Sequence, residues 1–88
     1  MGESSNKLAK QPLAALVRER LKVLFDELGS HRTPDLYRRV MGEVERALIV
    51  EALERARWSR TVAAEILGIH RNTLSARLRK LAISPPGK

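Results

Sequence analysis

Residues 59–80 read Ser-Arg-Thr-Val-Ala-Ala-Glu-Ile-Leu-Gly-Ile-His-Arg-Asn-Thr-Leu-Ser-Ala-Arg-Leu-Arg-Lys, and this stretch decides the fold. Ser59 has a side chain suited to capping a helix start. Val62, Ala63, Ile66 and Leu67 follow at helical spacing, giving a short helix over 60–67. Gly68 ends it, because only glycine turns the backbone sharply at no steric cost. A second helix is expected from Arg71 to about Lys80, with Leu74, Leu78 and Leu81 as its inner stripe. Ala63 and Ala64 are small where that helix must pass close. Ile69 is expected to plug the core and, with Leu74, to fill the wedge between the helices, while Ile83 pins the end. Two short helices around a glycine turn form a helix-turn-helix pattern.

The outward positions of the last helix are His70, Arg71, Asn72, Thr73, Ser75, Ala76, Arg77, Arg79 and Lys80. Asn, Ser, Thr and Arg side chains bond base edges or phosphates, and the small Ser75 and Ala76 let a helix sit deep in a groove. Charge points the same way. The 88-residue chain carries 17 Lys and Arg against 10 Asp and Glu, a formal net charge of +7. Residues 1–54 hold nine basic and nine acidic groups, whereas residues 55–88 hold eight basic groups and only Glu65 as an acid. A neutral scaffold joined to a polyanion-binding end is the pattern of a nucleic-acid-binding protein.

Upstream, Pro12 suits the first turn of a helix. Leu13, Leu16, Val17, Leu21, Leu24, Phe25 and Leu28 then trace one apolar stripe over 12–28, closed by Gly29. Thr33 is a candidate cap with Pro34 at the first position of a second helix, expected to reach Arg57 at about 36 Å long. Ala47-Leu48-Ile49-Val50 encircles that helix with apolar residues, and a helix apolar all round is buried all round. A chain of this size hides only about 60–65% of its unfolded surface and has no cysteine, so a second subunit is the expected supplement. The fold class expected is all-α, an intertwined homodimer of four helices per chain with a C-terminal helix-turn-helix. Leu21, Leu24, Phe25, Val40, Val44, Leu48 and Ile49 are the expected dimer-interface residues. The organisation expected is a disordered arm at 1–11, a dimerisation core at 12–57, the helix-turn-helix at 58–83 and a disordered tail at 84–88.

Chemistry beyond binding finds little support. The two histidines, His31 and His70, are far apart, and thiol or disulfide chemistry is excluded. No metal site, cofactor or catalytic residue is expected, and no run of about 18 apolar residues could cross a membrane. His31 is expected in an exposed loop, Trp58 as a packing lid, and the acids and arginines of the second helix as exposed i,i+4 pairs.

Lys10-Gln11-Pro12-Leu13, then Val17, Leu21, Phe25 and Leu28-Gly29, resemble the factor-for-inversion-stimulation (Fis) family of bacterial proteins. So do Asp35-Leu36-Tyr37, Val40, Glu43-Val44-Glu45 and Leu48, and then Thr61, Ala63-Ala64, Gly68-Ile69, Arg71, Thr73-Leu74, Leu78 and Lys80. The resemblance covers residues 10–83. The string Arg71-Asn72-Thr73-Leu74 also resembles the C-terminal domain of nitrogen-regulator-type activators, but the Lys-Gln-Pro-Leu start favours the Fis family. It implies an intertwined dimer that binds double-stranded DNA, with Arg71 reading a guanine edge, Thr73 and Thr61 on the DNA backbone, and Lys80 as a basic group at the helix end. Where the family has asparagine this chain has His70, where it has a long basic side chain this chain has Ser75, Ala76 replaces another, and Ser59 replaces a backbone-contacting asparagine. Recombinase-activating members carry a longer N-terminal arm, so recombinase contact is not expected.

The reading is a Fis-like, DNA-bending, nucleoid-associated transcriptional regulator in a bacterial cytoplasm, with RNA polymerase as a candidate partner. Base contacts are expected from Arg71, His70, Asn72 and Ser75. Phosphate contacts are expected from Ser59, Arg60, Thr61, Thr73, Arg77, Arg79 and Lys80. The alternatives are an excised C-terminal domain of a nitrogen-regulator-type activator and a helical protein-interaction adaptor.

Overall fold

The computed structural model describes residues 12–87, and the arm expected at 1–11 lies outside them, as does Lys88 of the tail. Four helices follow in order: α1 (Leu13–Leu28), α2 (Leu36–Arg55), α3 (Arg60–Leu67) and α4 (Arg71–Leu81). Among the described residues there is no strand, and the class is all-α. The chain divides into two compact units between Pro34 and Asp35.

The first unit contains α1. Pro12 precedes the helix and its carbonyl accepts the N–H of Ala15 at 2.9 Å. Gly29 ends it at φ 59°, donating its N–H to the carbonyl of Phe25 at 3.0 Å. Taken by itself, α1 buries none of its residues. His31 lies in the loop beyond, exposed, with Nδ1 3.1 Å from the carbonyl of Leu28.

The second unit is built on α2. Its core comprises Ile49, Ala52 and Leu53 from α2, Ala56 just past its end, Ala63 and Ala64 from α3, Leu74 and Leu78 from α4, and Ile83 beyond it. Val50, Trp58, Leu67 and Leu81 pack against this cluster. Leu53 and Leu74 are fully buried, and each such side chain contributes about 1.5–3 kcal/mol by leaving water. The two alanines of α3 are buried, as their small size under α4 requires.

Three helix ends in this unit share one construction. In each, a backbone N–H just beyond the helix reaches back to a carbonyl five residues earlier. Trp58 reaches Leu53 at 2.7 Å, Ile69 reaches Ala64 at 3.0 Å, and Ile83 reaches Leu78 at 2.9 Å. The residue between is left-handed: Arg57 at φ 53°, Gly68 at φ 73° and Ala82 at φ 56°. These are Schellman closures, which satisfy the last carbonyls of a helix. Two of them turn an apolar residue to the core, Ile83 as a member of the cluster and Trp58 packed against it.

Several expectations are corrected here. The second helix begins at Leu36 rather than Pro34, because Asp35 stands at φ −104°, ψ 26° and makes no side-chain cap. It ends at Arg55 rather than Arg57, because Arg57 and Trp58 are both left-handed. Its 20 residues make it about 30 Å long, not 36. Within the single chain the apolar girdle at 47–50 is covered on one side only, with Ile49 3% exposed and Leu48 59% exposed, so its full burial would need the second subunit that was expected. Ile49, expected at a dimer interface, lies instead in the core of the single chain, against the helix-turn-helix. Ile69 is 38% exposed and does not plug the core, which Leu74 fills from α4. On α3, Val62 and Ile66 also remain exposed.

Candidate nucleic-acid interface

The helix-turn-helix is held by local bonds that the sequence dictates. Ser59 accepts the N–H of Val62 on its Oγ at 3.2 Å and starts α3. Gly68, at φ 73° and ψ 31°, closes it. His70 then starts α4 by accepting the N–H of Asn72 on its ring Nδ1 at 3.0 Å. Each cap pairs a donor that the first turn of a helix otherwise leaves orphaned.

On α4 the helical period separates two faces. Leu74, Leu78 and Leu81 face the core. Asn72, Thr73, Ala76, Arg79 and Lys80 lie on the opposite side and are all exposed. Arg71 is exposed at the first position of the helix. Arg60 and Thr61 are exposed at the start of α3. Ser59 and Ser75 are half-buried, Ser75 on the flank of the polar face. The resulting surface combines amide, hydroxyl and guanidinium groups and has no acid on α4. Such a face suits a polyanion with readable edges.

Arg77 departs from its expected place. Its guanidinium turns to α2, donating from Nε to Glu45 Oε2 at 2.5 Å and from Nη2 to Glu45 Oε1. Glu45 is in turn held below the usual carboxylate range, first by this hydrogen bond and further by the charges of Arg77 and Lys80, with burial opposing. The same bond pushes the Arg77 guanidinium upward. Arg77 is therefore occupied within the chain rather than displayed with Arg79 and Lys80. Next to Glu45, Arg46 donates from Nη2 to the carbonyl of Leu81, the last residue of α4. These two residues of α2 were not legible as parts of the site, since their partners stand 32 and 35 residues away. The expected i,i+4 pattern does occur on α2 at Glu51 and Arg55, 2.8 Å apart.

Of the residues expected at a dimer interface, Leu21, Leu24 and Phe25 lie on α1, the first two half-buried and Phe25 exposed. On α2, Val40 is half-buried, and Val44 and Leu48 are exposed. Tyr37, Met41, Val44 and Leu48, at steps of four, three and four, form one exposed apolar stripe along that helix. Trp58 is half-buried against the core, in the place expected of a packing lid. Among the described residues no cluster of His, Asp and Glu could hold a metal ion, and no helix is long and apolar enough to cross a membrane.

Comparison with known proteins agrees with this geometry. The family model described as bacterial regulatory protein, Fis family, matches residues 40–81, which take in most of α2 and all of α3 and α4. The chain is 33% identical over 81 residues to the DNA-binding protein Fis of Proteus mirabilis, covering 92% of this chain and 83% of that one. It shows the same identity and coverage to the DNA-binding protein Fis of Sodalis glossinidius and of Yersinia enterocolitica. A likeness spread over so much of both chains, with a helix-turn-helix where the family model matches, means that the chain belongs to the Fis family of bacterial regulatory proteins.

Proposed function

We propose that this Fis-family DNA-binding regulator acts as a two-fold dimer that inserts the α4 helix of each chain into the major groove of bent duplex DNA. The observation that carries the reading is the exposed face of α4, where Asn72, Thr73, Ala76, Arg79 and Lys80 stand opposite the buried leucines. Arg71 at the helix start, with His70 and Asn72 and with Ser75 on the flank, would meet base edges. His70 accepts at Nδ1, so its neutral ring carries a proton on Nε2, a donor suited to guanine O6 or N7. Ser59, Arg60, Thr61, Thr73, Arg79 and Lys80 would bind phosphates. Deformation of base pairs that are never touched would add to selectivity.

The dimer rests on the exposed stripe Tyr37, Met41, Val44 and Leu48 of α2 and on α1, which buries nothing by itself. Apolar helical faces of this kind need a partner. The place of action would be the bacterial cytoplasm, on the nucleoid, and RNA polymerase is the partner through which such a regulator would act on transcription. The likeness to Fis proteins over 81 residues favours this reading over that of an activator's C-terminal domain, because it extends beyond residues 40–81.

The test is light scattering of the protein combined with titration of labelled duplexes at two salt concentrations. A dimer whose affinity falls steeply with salt is the expected result, since each phosphate neutralised adds about 0.9 to the logarithmic slope. A stable dimer indifferent to DNA would leave the adaptor reading in its place. A monomer indifferent to DNA would overturn both halves of the proposal.

A further inference from the structure

Two adjacent residues of α2 grip the same end of α4. Glu45 takes the guanidinium of Arg77 on both carboxylate oxygens, with the Nε bond at 2.5 Å. Arg46 places Nη2 on the carbonyl of Leu81, one helical turn beyond Arg77. A fork of two parallel bonds fixes the orientation of a side chain as well as its distance. A cation on the last carbonyl also lies at the negative end of the α4 dipole.

The apolar core cannot supply this precision alone. Leu74, Leu78 and Ile83 press α4 onto its neighbours, but apolar burial is non-directional and tolerates roll and slide. The exposed face of α4 must meet a groove in one orientation if it is to distinguish sequences. We infer that Glu45 and Arg46 are positioning residues for DNA recognition, acting through Arg77 and Leu81 to fix the roll and height of α4 on α2. This inference rests on the DNA-binding reading above. It makes site selectivity depend on an acid that touches no DNA. It also separates Arg77 from Arg79 and Lys80, which stay exposed.

The electrostatic expectation runs the opposite way, and this makes the inference testable. Removing a carboxylate from a DNA-binding protein should tighten its grip on every duplex alike. If Glu45 positions α4, Glu45→Gln should instead lower the ratio of affinities for a selected duplex and a scrambled one, by roughly tenfold. Arg77→Gln should lower the ratio similarly and leave the salt slope unchanged. The double variant should lose no more than either single one. The exchange Glu45→Arg with Arg77→Glu should recover much of the ratio.

Circular dichroism and melting would accompany each titration. Should a Glu45 variant fail to fold, Arg46→Gln, which leaves the ion pair intact, carries the test with the same expected loss of selectivity. An unchanged ratio in folded Glu45→Gln or Arg46→Gln would overturn the inference. So would a salt slope reduced by about one per chain in Arg77→Gln, the mark of a phosphate contact. Failure of the wild-type protein to bind any duplex would instead overturn the DNA-binding reading itself, and it would be seen before any variant is compared.

Discussion

The backbone N–H of Trp58 reaches back to the carbonyl of Leu53 at 2.7 Å, and this bond both ends α2 and lays the indole on the core. Reaching it forces Arg57 to φ 53°, a conformation that costs a residue with a Cβ about 1–2 kcal/mol. Ala82 performs the same task at φ 56°. Arg57→Gly and Ala82→Gly should therefore each stabilise the protein by up to about 1 kcal/mol, measured by urea unfolding. Gly68→Ala should destabilise it by a similar amount through backbone strain alone, since a Cβ there meets nothing within 4 Å. A loss of stability in Arg57→Gly would show that the strain at this closure is offset by contacts of the Arg57 side chain.

The two caps of the helix-turn-helix give a second prediction. Ser59→Ala and His70→Ala each leave an N–H orphaned, at Val62 and Asn72 respectively. Each should cost about 0.5–2 kcal/mol. His70→Asn should retain most of the stability, because asparagine is a strong capping residue. Thermal unfolding of the three variants distinguishes capping from mere bulk at position 70.

Truncation of the core should be far more damaging. Leu53 and Leu74 have no exposed surface and meet in the cluster that joins α2, α3 and α4. Leu53→Ala or Leu74→Ala should cost about 2–5 kcal/mol. In a unit this small that is a large part of the total stability, so calorimetry should show a strongly lowered melting temperature and DNA titration a matching loss of active protein.

Acid should weaken the clamp between α2 and α4. Glu45 is lowered from an ordinary value of 4.5, so the folded state holds its carboxylate charged more firmly than the unfolded chain does. The stabilisation is complete above the ordinary value and disappears as pH falls through the lower, folded one. Glu45→Gln should therefore melt below the wild type at pH 7, and the gap should close in buffers well below pH 4.5. A gap independent of pH would assign the effect to packing rather than to charge.

On DNA, two arginines of α4 should behave differently. Arg71→Ala should cost about 1–3 kcal/mol on preferred sites and relax the base preference, as expected of a side chain at a base edge. Arg79→Ala should weaken all duplexes about equally and reduce the salt slope by about one per chain. Selection of bound duplexes from a random pool, followed by titration at several salt concentrations, separates the two. Uniform weakening by Arg71→Ala would remove it from base reading.

By itself, the sequence determined what is local and periodic. Ser59 announced a cap, Gly68 a left-handed turn, and the spacing of Leu74, Leu78 and Leu81 an inner stripe, because each rests on the geometry of a few consecutive residues. The concentration of positive charge after residue 54 was equally plain. The end of α2 was not, because Arg57 does a task that sequence patterns assign to glycine, as Ala82 does at the end of α4. Ile49 and Leu48 looked alike in an apolar run, and only the docking of the helix-turn-helix on one side of α2 buried the first and left the second exposed. Arg77 looked like its exposed neighbours Arg79 and Lys80. Tertiary structure alone decided that it meets Glu45, because a pair separated by 32 residues leaves no local signal and exists only when two helices cross.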